Sequence, residues 1–140
     1  MLDRLRQVGL KLTPQRLAIV RALATDVSHP TAQELFDRLA PALPTMSFAT
    51  VYNTLGALVA AGLCAPKCFG PGPVRFDPNT APHHHAICDR CGSVSDVAWP
   101  REPEPLPDTS RADVLGFDVR AVERIYRGVC AACRSGEDAA

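Results

Sequence analysis

Two Cys-x-x-Cys pairs, Cys88-Asp89-Arg90-Cys91 and Cys130-Ala131-Ala132-Cys133, constrain this chain more than any other feature. A Cys-x-x-Cys turn holds two thiolates at tetrahedral spacing, so two such turns supply the closed four-sulfur set that suits Zn2+. With every coordination position filled, such a site is structural. It ties the two ends of a small domain together and contributes folding free energy directly. Gly92 allows a tight knuckle after the first pair, and Arg90 offsets the negative charge. A redox dithiol and a set of buried free cysteines are the competing readings; two pairs in a chain without secretion signals favour zinc. Cys64 and Cys68, more loosely spaced, are expected as packing residues, with a reactive thiol as the lesser alternative.

Ahead of the cysteines the pattern is helical. Thr13-Pro14 opens one helix with an N-cap and a proline at the first helical position, followed by Leu17, Ile19, Val20 and Leu23 on one face. Thr31-Ala32-Gln33-Glu34 is a capping box that starts a second, which turns Leu35, Phe36 and Leu39 inward. Ser47 caps a third, with Phe48, Val51, Leu55, Leu58 and Val59 at core spacing and Gly62 as its stop. A short helix over Asp3–Val8 is expected before all three. Beyond Gly62, "LCAPKCF" and "VRFD" flank Gly70-Pro71-Gly72-Pro73 and predict a hairpin. Helices followed by a small hairpin make a winged helix-turn-helix, with the hairpin as wing.

The back half predicts short strands over Ala86–Ile87, Ser93–Val97, Phe117–Val119 and Glu123–Val129, with a short helix capped by Asp108 or Ser110. The fold class is therefore α+β. Residues 1–77 are read as a winged-helix domain and 78–82 as a proline-punctuated hinge. Residues 83–134 form a small metal-binding α/β domain, and 135–140 a disordered tail. Hydrophobic residues make up 46 % of the chain but aromatic ones only 6 %, so each half alone is marginal and gains from a metal or a partner subunit. No apolar run is long enough to span a membrane and no signal peptide is evident, so a cytoplasmic location is expected.

Net charge is zero, which conceals an asymmetry: the arginines and lysines outnumber the acids before Asp77, and the reverse holds after it. A basic front half on an acidic back half suits a DNA-binding domain joined to a regulatory one. In a helix-turn-helix the second helix of the motif enters the major groove. For the Ser47 helix the outward positions near its start are Ala49, Thr50, Tyr52 and Asn53, and Asn53 suits an adenine edge. Lys11, Arg16, Lys67 and Arg75 are candidates for phosphate contact. A three-helix domain that meets another protein through this face is the competing reading.

With the cysteines assigned to zinc, three histidines remain together. On an extended segment His83 and His85 share a face while His84 points away. Two imidazoles with carboxylates form a nitrogen/oxygen site for Fe2+, Mn2+ or Zn2+. Asp77, Asp96 and His29 are the nearby candidates, although His29 taken alone reads more readily as a loop histidine beside a helix cap.

The segments "LKLTPQR", "SHPTAQELFDRL", "MSFATVYNTLGALVAAGL", "VRFD", "HHHAICDRCGSVSDV" and "YRGVCAAC" together resemble, in order, the motifs of the Fur family of metal-dependent repressors, over nearly the whole chain. The resemblance implies a homodimer with an N-terminal winged helix and a C-terminal dimerisation domain, which binds palindromic double-stranded DNA operators when loaded with metal. Within the family it is strongest to the peroxide-sensing PerR branch. It implies a regulatory Fe2+ or Mn2+ site at His29, Asp77, His83, His85 and Asp96, and a structural zinc at Cys88, Cys91, Cys130 and Cys133. It also places Tyr52 and Asn53 on the recognition helix and Arg16 near the DNA backbone. In the peroxide-sensing branch Fe2+ reacts with H2O2 and a histidine ligand, His29 or His83, is oxidised. Iron- or manganese-uptake regulation without peroxide sensing is the alternative within the family. Val122-Glu123 and Pro82 stand where many members carry histidines of a further metal site. A zinc hydrolase or deaminase is disfavoured, because Ala86-Ile87 follows the histidines where an acid/base Glu is needed. The reading is thus of a regulator, not an enzyme; a zinc-stabilised protein-interaction module is the remoter alternative.

Overall fold

Helix caps organise the N-terminal unit. In a computed structural model, which describes residues 1–98, 115–118 and 122–136, the chain divides into units Met1–Ala81 and Pro82–Ala140. In the first, α1 (Leu2–Gln7) precedes α2 (Pro14–Ala24), where the Thr13 hydroxyl accepts from the Arg16 N–H at 3.3 Å. The Thr31/Glu34 capping box is fully made at the start of α3 (Ala32–Leu39), with bonds of 3.1 and 2.9 Å. Ser47 caps α4 (Phe48–Ala60) through the Thr50 N–H at 3.1 Å, and Gly62 follows the helix at φ 67°. Leu5, Ile19, Leu23, Leu35, Val51, Leu55 and Leu58 are fully excluded from solvent and join the helices into one core.

The wing is the antiparallel pair β1 (Ala65–Lys67) and β2 (Arg75–Asp77), in the register Ala65↔Asp77. Strand β2 also pairs with the segment that enters α3: Thr31 bridges Arg75, and the Phe76 N–H donates to the Pro30 carbonyl at 2.9 Å. The wing therefore buttresses the loop before α3, which matters below. The unit is the expected winged helix-turn-helix. One inward assignment is corrected: Phe48 is 42 % exposed. It occupies the first turn of α4, beyond the reach of the core, and instead meets Phe36 edge-on at 6.1 Å and stacks on Tyr52 at 6.4 Å.

The second unit is built on a three-stranded sheet of order β4-β3-β5. Central β3 (His84–Cys88) runs antiparallel to β4 (Val94–Val97) and parallel to β5 (Ile125–Gly128). Strand β3 starts two residues earlier than its apolar pattern predicts, because pairing on both sides satisfies the polar His-rich backbone. The expected strand over Phe117–Val119 is not formed at Phe117 and Asp118, which follow a turn at Gly116 (φ 74°); Val119 lies outside the described residues. A helix that the sequence did not announce, α5 (Ala131–Ser135), winds directly out of Cys130, with the Arg134 N–H on the Cys130 carbonyl at 3.0 Å, so Ser135, expected to begin a disordered tail, is helical. The proline-rich 100–107 stretch, the helix proposed at Asp108 or Ser110 and residues 137–140 lie outside the described residues. Among the described residues of this unit only Ile87, Cys88 and Val94 are buried apolar groups. No described helix is long and apolar enough to cross a membrane.

Candidate metal centres and nucleic-acid face

The parallel register Cys88↔Gly128 brings the end of β3 beside the chain entering α5, so the two Cys-x-x-Cys turns face one another. Gly92, at φ 70°, closes the first turn by donating to the Cys88 carbonyl at 2.9 Å. The Cys130 N–H points at Cys88 Sγ at 3.3 Å, and the Arg90 guanidinium reaches the Cys133 carbonyl at 3.3 Å. All four sulfurs lie within 4.8 Å of one another, and Cys91 and Cys130 are 3.8 Å apart. Four sulfurs each about 2.3 Å from a tetrahedral zinc lie about 3.8 Å apart, which is the separation of Cys91 and Cys130. The electrostatics of the set agree. The N–H groups of Cys130 and then Cys91 draw the Cys88 thiol down to about 6, while the thiols of Cys130 and then Cys91 push Cys133 up to about 12. The turns favour a first thiolate, and its neighbours then resist the last; a divalent cation removes that conflict.

Further along β3 the same sheet assembles a nitrogen/oxygen set. Antiparallel pairing places Asp96 directly opposite His85. His83 Nε2 and His85 Nε2 are 2.9 Å apart, and Asp96 Oδ1 lies 3.2 Å from the first and 3.7 Å from the second. The 2.9 Å separation is that of a hydrogen bond between the two rings, and two histidines with one carboxylate is the set that non-haem iron(II) takes. His84 lies on the opposite face. It is buried, accepts the Arg124 N–H on Nδ1 at 3.0 Å and meets the Tyr126 ring edge-on, so it fastens the start of β5. Sequence reasoning missed Glu123, whose carboxylate bonds His85 Nδ1. No local motif marks it, since only the β3–β5 register brings it there.

In the N-terminal unit His29 and Asp77 are both buried, with His29 Nε2 3.6 Å from Asp77 Oδ2. His29 has φ 55°, a left-handed conformation that costs about 1–2 kcal/mol for a side-chain-bearing residue. The loop is held in place by its neighbours. Asp26 accepts the Ser28 N–H at 2.7 Å and the Arg38 guanidinium at 2.6 Å, while Arg75 donates to the His29 carbonyl at 3.0 Å. Burial alone raises the Asp26 carboxyl, but the Ser28 and Arg38 hydrogen bonds outweigh it and leave the group below its ordinary value. Cys64 is buried next to Asp77; burial first, and then the Asp77 charge, push its thiol up to about 12.

The profile of the Ferric uptake regulator family matches residues 7–112. The chain belongs to that family. It is 39 % identical over 132 residues to the peroxide-responsive repressor PerR of Staphylococcus epidermidis, an alignment that covers 93 % of this chain and 85 % of that one. Among solved structures it resembles a zinc-bound manganese uptake regulator (TM-score 0.71, 26 % identity, 91 % and 96 % of the two chains). It also resembles PerR from Streptococcus pyogenes (TM-score 0.53, 27 % identity, 94 % and 89 %). Members of this family are transcriptional regulators that bind DNA as dimers and use structural zinc with regulatory iron or manganese.

Of the candidates for base contact on α4, Tyr52 is 61 % exposed and Asn53 is also exposed. Thr50 is half-buried, with its hydroxyl 2.8 Å from that of Ser47. The Arg16 guanidinium donates to the Lys11 carbonyl at 2.8 Å and so joins the segment before α2 to the helix; Lys67 is half-buried on β1. Arg75 turns inward: besides the His29 carbonyl it lies 3.5 Å from the Glu34 carboxylate, the one that caps α3.

Proposed function

We propose that this chain is a metal-dependent, sequence-specific repressor of transcription that binds palindromic DNA operators as a homodimer and senses peroxide. The observation that carries the reading is the pair of donor sets of different chemistry: a closed four-sulfur set, and an imidazole–carboxylate set. The four cysteines hold structural zinc. His29 and Asp77 from residues 1–77, with His83, His85 and Asp96 from residues 83–134, hold one regulatory Fe2+ or Mn2+ across the 78–82 hinge. An ion gripped from both sides fixes one relative orientation of the domains, which biases a two-state equilibrium through its differential affinity. Couplings of this kind are typically about 1–3 kcal/mol, or about 5- to 150-fold in operator affinity. In a dimer that orientation sets the spacing of two recognition helices against half-sites one helical turn apart.

Tyr52, Asn53 and Thr50 are the groove-facing candidates, and Lys11, Arg16 and Lys67 the phosphate-facing ones. Arg75 is better used inward, on His29 and Glu34. Among the described residues β5 is an edge strand that exposes Ile125 and Tyr126, a surface suited to a second copy. The resemblance to peroxide-responsive repressors supports peroxide as the signal. Iron(II) held by these residues would supply the redox chemistry by which peroxide transfers one oxygen atom to a ligand histidine, His29 or His83, and leaves its other oxygen as water. Manganese or iron uptake control without peroxide sensing is the second reading, favoured by the likeness to the manganese uptake regulator.

The test is a mobility shift on operators selected from a random duplex pool, with Mn2+, Fe2+ or Zn2+, each with and without peroxide. The proposal expects metal-dependent retention that peroxide abolishes only in the Fe2+ form, with one added oxygen on His29 or His83 by mass spectrometry. Retention of the Fe2+ complex under peroxide without any mass gain supports the uptake reading. Absence of operator binding in every metal form refutes both.

A further inference from the structure

We propose that Glu123 is a positioning residue for the regulatory metal: its carboxylate holds His85 in the tautomer and ring orientation that leaves Nε2 unprotonated toward the ion. This rests on the assignment of His83, His85 and Asp96 as ligands. The geometry follows from the strands. His85 pairs with Ile125 across the parallel β3–β5 ladder, and its N–H donates to the Arg124 carbonyl at 3.2 Å. Residues two apart along an extended segment share a face, so Glu123 lies on the face of Ile125 and His85, while the Arg124 backbone N–H donates to His84 Nδ1. His85 is wholly excluded from solvent, and its Nδ1 is bonded by the Glu123 carboxylate.

The Glu123 contact bears on which ring nitrogen of His85 carries its hydrogen. An ionised carboxylate only accepts, so His85 Nδ1 must carry the hydrogen, and neutral His85 presents a bare Nε2. His83 Nε2, 2.9 Å away, must in turn carry a hydrogen to make that contact, with Asp96 Oδ1 at 3.2 Å as a second acceptor. In the metal-free protein His85 is therefore preset for coordination while His83 is not. Loading the site requires His83 to exchange its Nε2 hydrogen for one on Nδ1, and leaves His85 as it was. A carboxylate on the far nitrogen of a ligating histidine fixes its orientation and raises its basicity, and loss of such a partner typically weakens metal binding about 10–100-fold.

The experiment uses the full-length, zinc-loaded protein. Nitrogen NMR of the imidazoles at mildly alkaline pH reads the tautomers without regulatory metal, and Mn2+ titration reads affinity. Wild type is expected to show His85 as the Nδ1–H tautomer and His83 as the Nε2–H tautomer. Glu123→Ala is expected to mix the His85 tautomers and weaken Mn2+ binding about 10–100-fold. In Glu123→Gln the amide oxygen still accepts the Nδ1 hydrogen, so the tautomer is kept and most of the affinity restored. An unchanged tautomer in Glu123→Ala overturns the proposal, as does a Gln variant as impaired as Ala, which marks Glu123 as a ligand instead. Retained zinc and an unchanged melting transition confirm that each variant is folded. If wild type itself fails to bind Mn2+, the ligand assignment falls, yet the metal-free tautomers still decide the role of Glu123.

Discussion

Extraction of zinc from the four-thiol site is expected to unfold the C-terminal unit and spare the helical one. The described residues of the C-terminal unit bury Ile87, Cys88 and Val94, whereas the helical unit closes a core of fully buried leucines and isoleucine. Fully burying one aliphatic side chain contributes about 1.5–3 kcal/mol, so Ile87 and Val94 together supply about 3–6 kcal/mol. Structural zinc binding contributes about 10–16 kcal/mol, which exceeds that and matches the whole stability of an ordinary domain. The ion also holds together the ends of β3 and β5, because Cys88 and Cys130 meet at the close of the parallel pairing. Hydrogen exchange read by mass spectrometry, before and after removal of zinc by a strong chelator or in Cys130→Ser, separates the two units. Peptides from β3, β4 and β5 should lose protection together, while those from α2 and α4 keep theirs. Protected β3 amides in protein shown to be free of zinc would refute the reasoning.

Arg75→Ala is expected to loosen the His29 loop and lower Mn2+ affinity about 10-fold, with Arg75→Lys a partial rescue. The salt dependence of operator binding should stay as in wild type; a slope reduced by about one would return Arg75 to the phosphate backbone. Asp26 has a folded-state value depressed below 3.8, so its contribution is present above that pH and lost as pH falls through the folded value. Asp26→Asn should accordingly flatten the acid limb of helical-unit stability, measured by circular dichroism, and cost about 1.5–3 kcal/mol at neutral pH. An unchanged acid limb would show that the Ser28 and Arg38 bonds do not act through ionised Asp26. Alkylation of the zinc-loaded protein should modify exposed Cys68 and leave buried Cys64, whose thiol stands at about 12, until unfolding. Equal rates would contradict that burial.

What was legible in the sequence is what local chemistry determines. Thr13, Thr31 and Ser47 mark helix starts because a hydroxyl and the N–H three residues on suffice to cap, and all three caps are made. The Cys-x-x-Cys pairs announce their turns for the same reason. Phe48 was misread because apolar periodicity does not say where along a helix the core ends. The α5 turn was missed because five residues around Cys133 carry no periodicity at all. Glu123 and the inward use of Arg75 were beyond reach for a different reason. Both depend on long-range register, β3 against β5 and β2 against the loop before α3, which no local signal specifies. The fastening role of His84 is hidden likewise, since alternation says only that it points away from His83 and His85.

The proposed regulatory ion, with His29, Asp77, His83, His85 and Asp96 as its ligands, should control affinity for DNA. Fluorescence anisotropy on a selected operator duplex, with zinc-loaded wild type and His83→Ala in Mn2+ or EDTA, tests it directly. Wild type is expected to bind tightly in Mn2+ and to lose about 5- to 150-fold in EDTA, and His83→Ala to bind weakly in both. Operator affinity indifferent to EDTA and to His83→Ala would contradict it.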